Sequence, residues 1–223
     1  ILIEKIKNDS LVLPTLPEIA VKVRETSDDP DVNLAKIAEV IAQDPALSVR
    51  IIKVANSAYL GRAVKVETLN QAVNRIGLRQ IKNIATALAM EQLFISKNEV
   101  VREFFDRHWS NTVKVAAAAI TSLNRYLKIN KHSSLNLDTI TLAALIYNIG
   151  ALPILTEAEK HADVFANPTF LEQAISQLAG KLGAKIMHSW GFGDEFVAVA
   201  QDWNKETFDP KNAAYSDFIR IGA

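Results

Sequence analysis

The chain has 223 residues, of which 49% are hydrophobic and 22% charged, and its 25 lysines and arginines balance 25 aspartates and glutamates. That length and apolar content exclude a disordered chain and suit one good core or two small adjoining ones, while the zero net charge excludes a broadly basic nucleic-acid-binding surface. With no cysteine, disulfides and thiolate metal sites are also excluded, which fits a reducing compartment. No apolar run is expected to reach the roughly eighteen residues of a membrane span. Charges in the opening Ile-Leu-Ile-Glu-Lys-Ile-Lys argue against a signal peptide, so the expected location is the cytoplasm. The chain opens on Ile1 and not on methionine, and the expectation is a piece of something longer.

In chain order, Pro14 and Pro17 bracket a first turn, and Asp28 to Asn33 form a second that leads into a helix with Leu34, Ile37, Ala38 and Ile41 on one face. Asp44 and Pro45 read as an N-cap followed by proline at the first helical position. Thr68 caps the next helix. Gly77 divides Thr68–Ile76 from Leu78–Phe94, whose apolar face is Ile81, Ile84, Ala85 and Leu88. A polar break at Ser96 to Glu99 separates an N-terminal lobe, 1–95, from a C-terminal lobe, 96–223. A central helix from Val101 to Leu127 carries the stripe Trp109, Val113, Ala116, Ile120, Leu123 and Leu127.

Asp138 then caps a helix with Leu142, Leu145, Ile146 and Ile149 on one face, and Gly150 followed by Pro153 ends it. Leu171, Ala174, Ile175 and Leu178, and later Phe196, Val199, Ala200 and Trp203, repeat the same spacing. Strand-like alternation hardly occurs. The fold class is therefore all-α, a two-lobed arrangement of many helices, with no fixed-period repeat.

Three segments point to a family: Leu-Pro-Thr-Leu-Pro-Glu-Ile-Ala (13–20), Gln-Asp-Pro-Ala-Leu-Ser-Val-Arg-Ile-Ile-Lys-Val-Ala-Asn-Ser-Ala-Tyr (43–59) and Gln-Ala-Val-Asn-Arg-Ile-Gly-Leu (71–78). Together and in this order they closely resemble the HDOD domain, the HD-related output domain of bacterial signalling proteins. Ala-Ala-Leu-Ile-Tyr-Asn-Ile-Gly (143–150) looks like the helix on which HD phosphohydrolases carry a His-Asp pair. Leu182-Gly183-Ala184 and Trp190-Gly191-Phe192 resemble a later element.

The resemblance implies an HD-like helical core in the C-terminal lobe, and it directs attention to the residues that hold metal in HD enzymes. There the chain departs from them. The His-Asp pair is Tyr147-Asn148, a phenol and a neutral amide that lack the basicity and charge a di-metal site needs. The upstream histidine position falls at His108 or Trp109, the downstream one near Ala179, and a late one near Gln201 to Trp203. His108, His132, His161 and His188 form no His-x-x-x-His pair. The relic cleft of His108, Trp109, Tyr147 and Asn148 is thus a candidate site without metal or cofactor.

Other chemistry fails on spacing. Asp29, Asp31 and Asn33 match the start of a calcium loop, but Leu34 and Val40 stand where glycine and glutamate belong. No P-loop, dinucleotide fingerprint or nucleophile elbow is present. Trp109, Trp190, Trp203, Phe192 and Phe196 read as core rather than as a ligand box.

One charge feature stands out. Between Ala46 and Met90, Arg50, Lys53, Arg62, Lys65, Arg75, Arg79 and Lys82 face Glu67 alone. Arg75, Arg79 and Lys82 are a candidate partner-binding basic face for an acidic protein or an anionic small-molecule effector.

The reading that follows is a non-catalytic output or interaction module of bacterial signal transduction that binds a protein partner, and neither a membrane nor nucleic acid. The alternative is a metal-dependent HD phosphohydrolase acting on a nucleotide or phosphoester. A third, nucleic-acid regulation, would show itself as salt-sensitive binding.

Overall fold

Short polar caps and glycine turns cut the chain into helices. In the computed structural model, which describes residues 2–8, 10–57, 64–96, 98–161, 168–205 and 212–223, the regular structure of those residues is twelve α-helices and one 3-10 turn, without strands. The first helices are α1 (Leu2–Lys7), α2 (Glu18–Asp28) and α3 (Leu34–Ile41). Asn33 starts α3 by accepting the Lys36 amide at 3.0 Å. Asp44 does the same for Leu47 at the start of α4 (Pro45–Ala55). Thr68 and Gln71 form a reciprocal capping box ahead of α5 (Leu69–Ile76). Gly77, at φ 83°, makes the turn into α6 (Leu78–Met90) with a backbone that an L side chain rarely adopts. The helix expected to run to Phe94 stops at Met90 and tightens into a 3-10 turn at Glu91–Leu93.

The second half holds α7 (Glu99–Ile129), α8 (Leu137–Ile146), α9 (Ala151–Lys160), α10 (Pro168–Ser189), α11 (Asp194–Asp202) and α12 (Tyr215–Arg220). The cap of α8 is Asn136, which accepts the Thr139 amide at 2.8 Å; Asp138 lies inside the first turn, where its charge suits the helix dipole. Pro153 does not end a helix. It is the third residue of α9, where its missing N–H falls among the donors that have no helical partner. The stripe expected on α7 also shifts, because Val113 is 49% exposed while Phe104, Phe105, Val115, Ala116, Ala119 and Leu123 are buried.

The chain divides into two compact units, Leu16–Gln92 and a two-part unit made of Ile1–Thr15 with Leu93–Ala223. A single cut between 95 and 96 therefore does not describe it. Residues 2–15 belong with the C-terminal half because Lys5 pairs with Glu157 and the Trp190 indole donates to the Pro14 carbonyl at 3.0 Å.

In the Leu16–Gln92 unit, α2 packs on α3 and α6, and α4 on α5 and α6, around Val23, Ile37, Ile41, Leu47, Ile51 and Ile81. In the two-part unit, α7 packs on α8 and α12, and α10 on α9 and α11. One stretch here is long and apolar enough to cross a membrane, contrary to expectation: Leu137–Lys160, of which 78% of the most apolar window is buried inside the fold. Tyr147 to Gly150 separate it into α8 and α9, and its apolar side chains form core.

Candidate functional site

Of the candidate cleft residues, Tyr147 and Asn148 lie in the two-part unit, where the chain leaves α8. Asn148, 2% exposed, donates from Nδ2 to the Thr112 hydroxyl at 3.1 Å. Thr112, 1% exposed, in turn donates to the His108 carbonyl at 2.8 Å. Tyr147 stacks edge-on against Trp203 with ring centroids 5.0 Å apart. Burial pushes its phenol up to about 12, an effect opposed by a hydrogen bond with Thr112. The Trp203 Nε1 is a buried donor without a partner among the described residues.

Around these residues the backbones touch. A Cβ on Gly150 would lie 1.9 Å from the Ala179 carbonyl oxygen, and one on Gly180 would lie 2.8 Å from that of Gln201. The position near Ala179, where a further histidine is expected in an HD enzyme, is thus occupied by close helix contact.

The expected cleft residues do not converge on one point. The His108 side chain lines an open cleft of about 290 Å³ with Arg107, Asn111 and Glu172, where Arg107 and Glu172 pair at 3.2 Å. Its pKa is lowered, first by burial and then by Arg107, with Glu172 opposing, so the imidazole is neutral at pH 7. Trp109 instead packs its ring 5.9 Å from that of Phe94. The donor set around Asn148 is a hydroxyl, an amide and a protonated phenol, which does not fit a divalent metal. Among the described residues, no group of three His, Asp or Glu side chains is placed to hold one.

Thr112 is not among the expected site residues. Its signal was there: a threonine four residues after His108, on the face that continues through Val115, Ala116 and Ala119.

In the Leu16–Gln92 unit, the candidate basic face is largely engaged within the fold. Arg75 donates to the carbonyls of Ala55 at 3.3 Å and Val64 at 2.6 Å and to the Asn56 side chain at 3.4 Å. Asn56 itself holds both the N–H and the C=O of Val66. Lys82 pairs with Asp28 and Arg50 with Glu91. Arg79, Lys53 and Lys65 are exposed, and Arg62 lies outside the described residues.

The same unit contains a second feature that spacing did not reveal. Pro17, Glu18, Ile19 and Lys22 from the first motif and α2 line an open cleft of about 390 Å³ with Gln43, Asp44 and Pro45 from the second motif, together with Gln92.

A chain whose described residues form helices without strands belongs to the all-α class of proteins. The HDOD domain matches residues 13–205, and the chain belongs to that family. A structure from Shewanella amazonensis SB2B, described as a proposed metal-dependent phosphohydrolase, is 48% identical with a TM-score of 0.90, covering 99% of this chain and 79% of that one. An HDOD domain protein of unknown function from Geobacter sulfurreducens shares the fold at 20% identity, TM-score 0.69, over 95% of this chain and 72% of its own. A curated Treponema pallidum (strain Nichols) protein, uncharacterized, is 24% identical over 192 residues, 86% of this chain. The chain spans 35% of the length of that relative.

Proposed function

We propose that this chain is a non-catalytic output module of cytoplasmic signal transduction that works by binding a protein partner. The observation that supports the reading is the pair Asn148 and Thr112: at the position where the resemblance places a metal-binding carboxylate, a neutral amide is buried against a hydroxyl. A Marinobacter aquaeolei VT8 structure of the same fold, 21% identical over 96% of this chain and 49% of that one with a TM-score of 0.60, is described as a proposed signal transduction protein and agrees in kind. The test is metal content by mass spectrometry, together with hydrolysis of a generic phosphodiester and a cyclic dinucleotide with manganese or magnesium added. No stoichiometric metal and no turnover are expected.

A second reading, metal-dependent phosphohydrolysis, is favoured by the description of the 48% identical Shewanella protein. Turnover that His108→Ala abolishes would establish it in place of the first.

A further inference from the structure

We infer that the cleft between the start of α2 and the start of α4 is a binding site for an extended peptide segment of a partner protein, recognised through its main chain. This deepens the proposed binding role and rests on that reading.

The orientation of two glutamine amides carries the inference. The Lys22 ammonium can only donate, and it does so to Gln43 Oε1 at 3.2 Å, so the Gln43 –NH₂ is turned the other way. The Asp44 carboxylate can only accept, and it takes the Gln92 Nε2 at 2.7 Å, so the Gln92 carbonyl oxygen is left as an acceptor. Neither assignment depends on telling nitrogen from oxygen in an amide, because each partner permits one orientation. The cleft therefore presents a fixed donor and a fixed acceptor, both on exposed residues and neither engaged by another described residue.

A peptide group offers the complementary pair, one C=O and one N–H, and every extended segment repeats it. Pro17, Ile19 and Pro45 supply apolar surface beside the amides for the side chains that alternate along such a segment. A volume of about 390 Å³ is within the usual range for a ligand site.

Charge decides against the other ligands with a donor–acceptor edge. Glu18, Lys22 and Asp44 give the cleft two negative charges and one positive. A nucleotide phosphate is repelled there, whereas a peptide that is neutral or carries a basic residue is not. Asp44 is firmly ionised, its pKa lowered first by the Leu47 amide that it caps.

The experiment is selection of random short peptides from a display library on the immobilised full chain. Affinities of the enriched peptides, made synthetically, are then measured for the wild type, Gln43→Leu, Gln92→Leu and the control Gln173→Leu, with adenosine as the nucleobase probe. Helix content by circular dichroism checks that each exposed substitution leaves the fold intact. The expected result is at least one enriched peptide whose affinity falls about tenfold in either cleft variant and is unchanged in the control, with N-methylation of one peptide N–H causing a similar loss. No enriched peptide, equal affinity for wild type and cleft variants, or saturable binding of adenosine in place of peptide would each overturn the assignment. Those outcomes leave the non-catalytic reading standing, since metal content and turnover are read separately.

Discussion

Asn148 and Thr112 are 36 positions apart in sequence, and their side chains meet at 3.1 Å in the interior of the two-part unit. Thr112 has one hydroxyl proton and gives it to the His108 carbonyl, so toward Asn148 it serves as the acceptor. Replacing it by valine keeps the shape and leaves the Asn148 amide without that acceptor. Thr112→Val should therefore cost about 1–3 kcal/mol, read from urea unfolding, and an unchanged midpoint would contradict the arrangement.

Restoring the enzyme-like pair should not restore an enzyme. In the double variant Tyr147→His with Asn148→Asp, the new carboxylate is buried against the neutral Thr112 hydroxyl, and Ala179 and Trp203 still supply no ligand. The expected outcome is a less stable protein with no metal-dependent phosphodiesterase activity. Measurable turnover would show that the missing ligands are present elsewhere.

Gly150 is a site where one methyl group is decisive. Its Cβ would overlap the Ala179 carbonyl at 1.9 Å, and backbone on both sides leaves nothing flexible to move. Gly150→Ala should destabilise by about 3 kcal/mol, lowering the melting temperature by roughly 10 °C for a chain of this size. A thermal melt within a degree or two of wild type would refute the close contact.

Glu157 ties the first helix to α9. Its carboxyl pKa is lowered, chiefly by the hydrogen bond from Lys5 and further by the charges of Lys5, Lys160 and His161, against the opposing effect of burial. A folded-state pKa below the unfolded value means that the pair stabilises the fold above the unfolded pKa, and that this contribution is lost as pH falls through the folded one. Lys5→Met should cost about 1 kcal/mol at neutral pH, Lys5 being partly exposed, and the gap to wild type should close below pH of about 4. A gap that is constant from neutral to acid would exclude the ion pair as its source.

Arg75 differs from a solvated surface arginine because it is fastened to the fold. Arg75→Glu removes its hydrogen bonds to Ala55, Asn56 and Val64 and should cost about 1–2 kcal/mol. The urea midpoint of this variant decides it, and a midpoint equal to that of the wild type would show that those bonds contribute nothing to stability.

The sequence disclosed what is decided within one helical turn. Asp44, Thr68 and Gly77 were legible because a cap or a left-handed glycine acts on its immediate neighbours. Asn136 was confused with Asp138 because both side chains can cap, and only the backbone angle of Asn136 distinguishes them. The stripe through Trp109, Val113, Ala116, Ile120, Leu123 and Leu127 keeps to one side of α7, but the buried face is turned from it toward Phe105, Thr112, Ala119 and Leu123, so Val113, on the stripe's other edge, faces outward. The two glutamines of the cleft were not legible at all. Gln92 reaches Asp44 across 48 positions, and no spacing rule covers that distance.

The division of the chain also sets an order of events on the ribosome. Residues 16–92 are all synthesised before either partner of the leading segment: Glu157 follows Lys5 by 152 positions, and Trp190 follows Pro14 by 176. A six-residue helix such as α1 has little stability of its own, so the leader stays unpaired while the middle unit folds behind it. Removing the residues before Leu16 would thus take a part from the two-part unit, and the damage would appear around α9 and α10, far along the chain from the deletion.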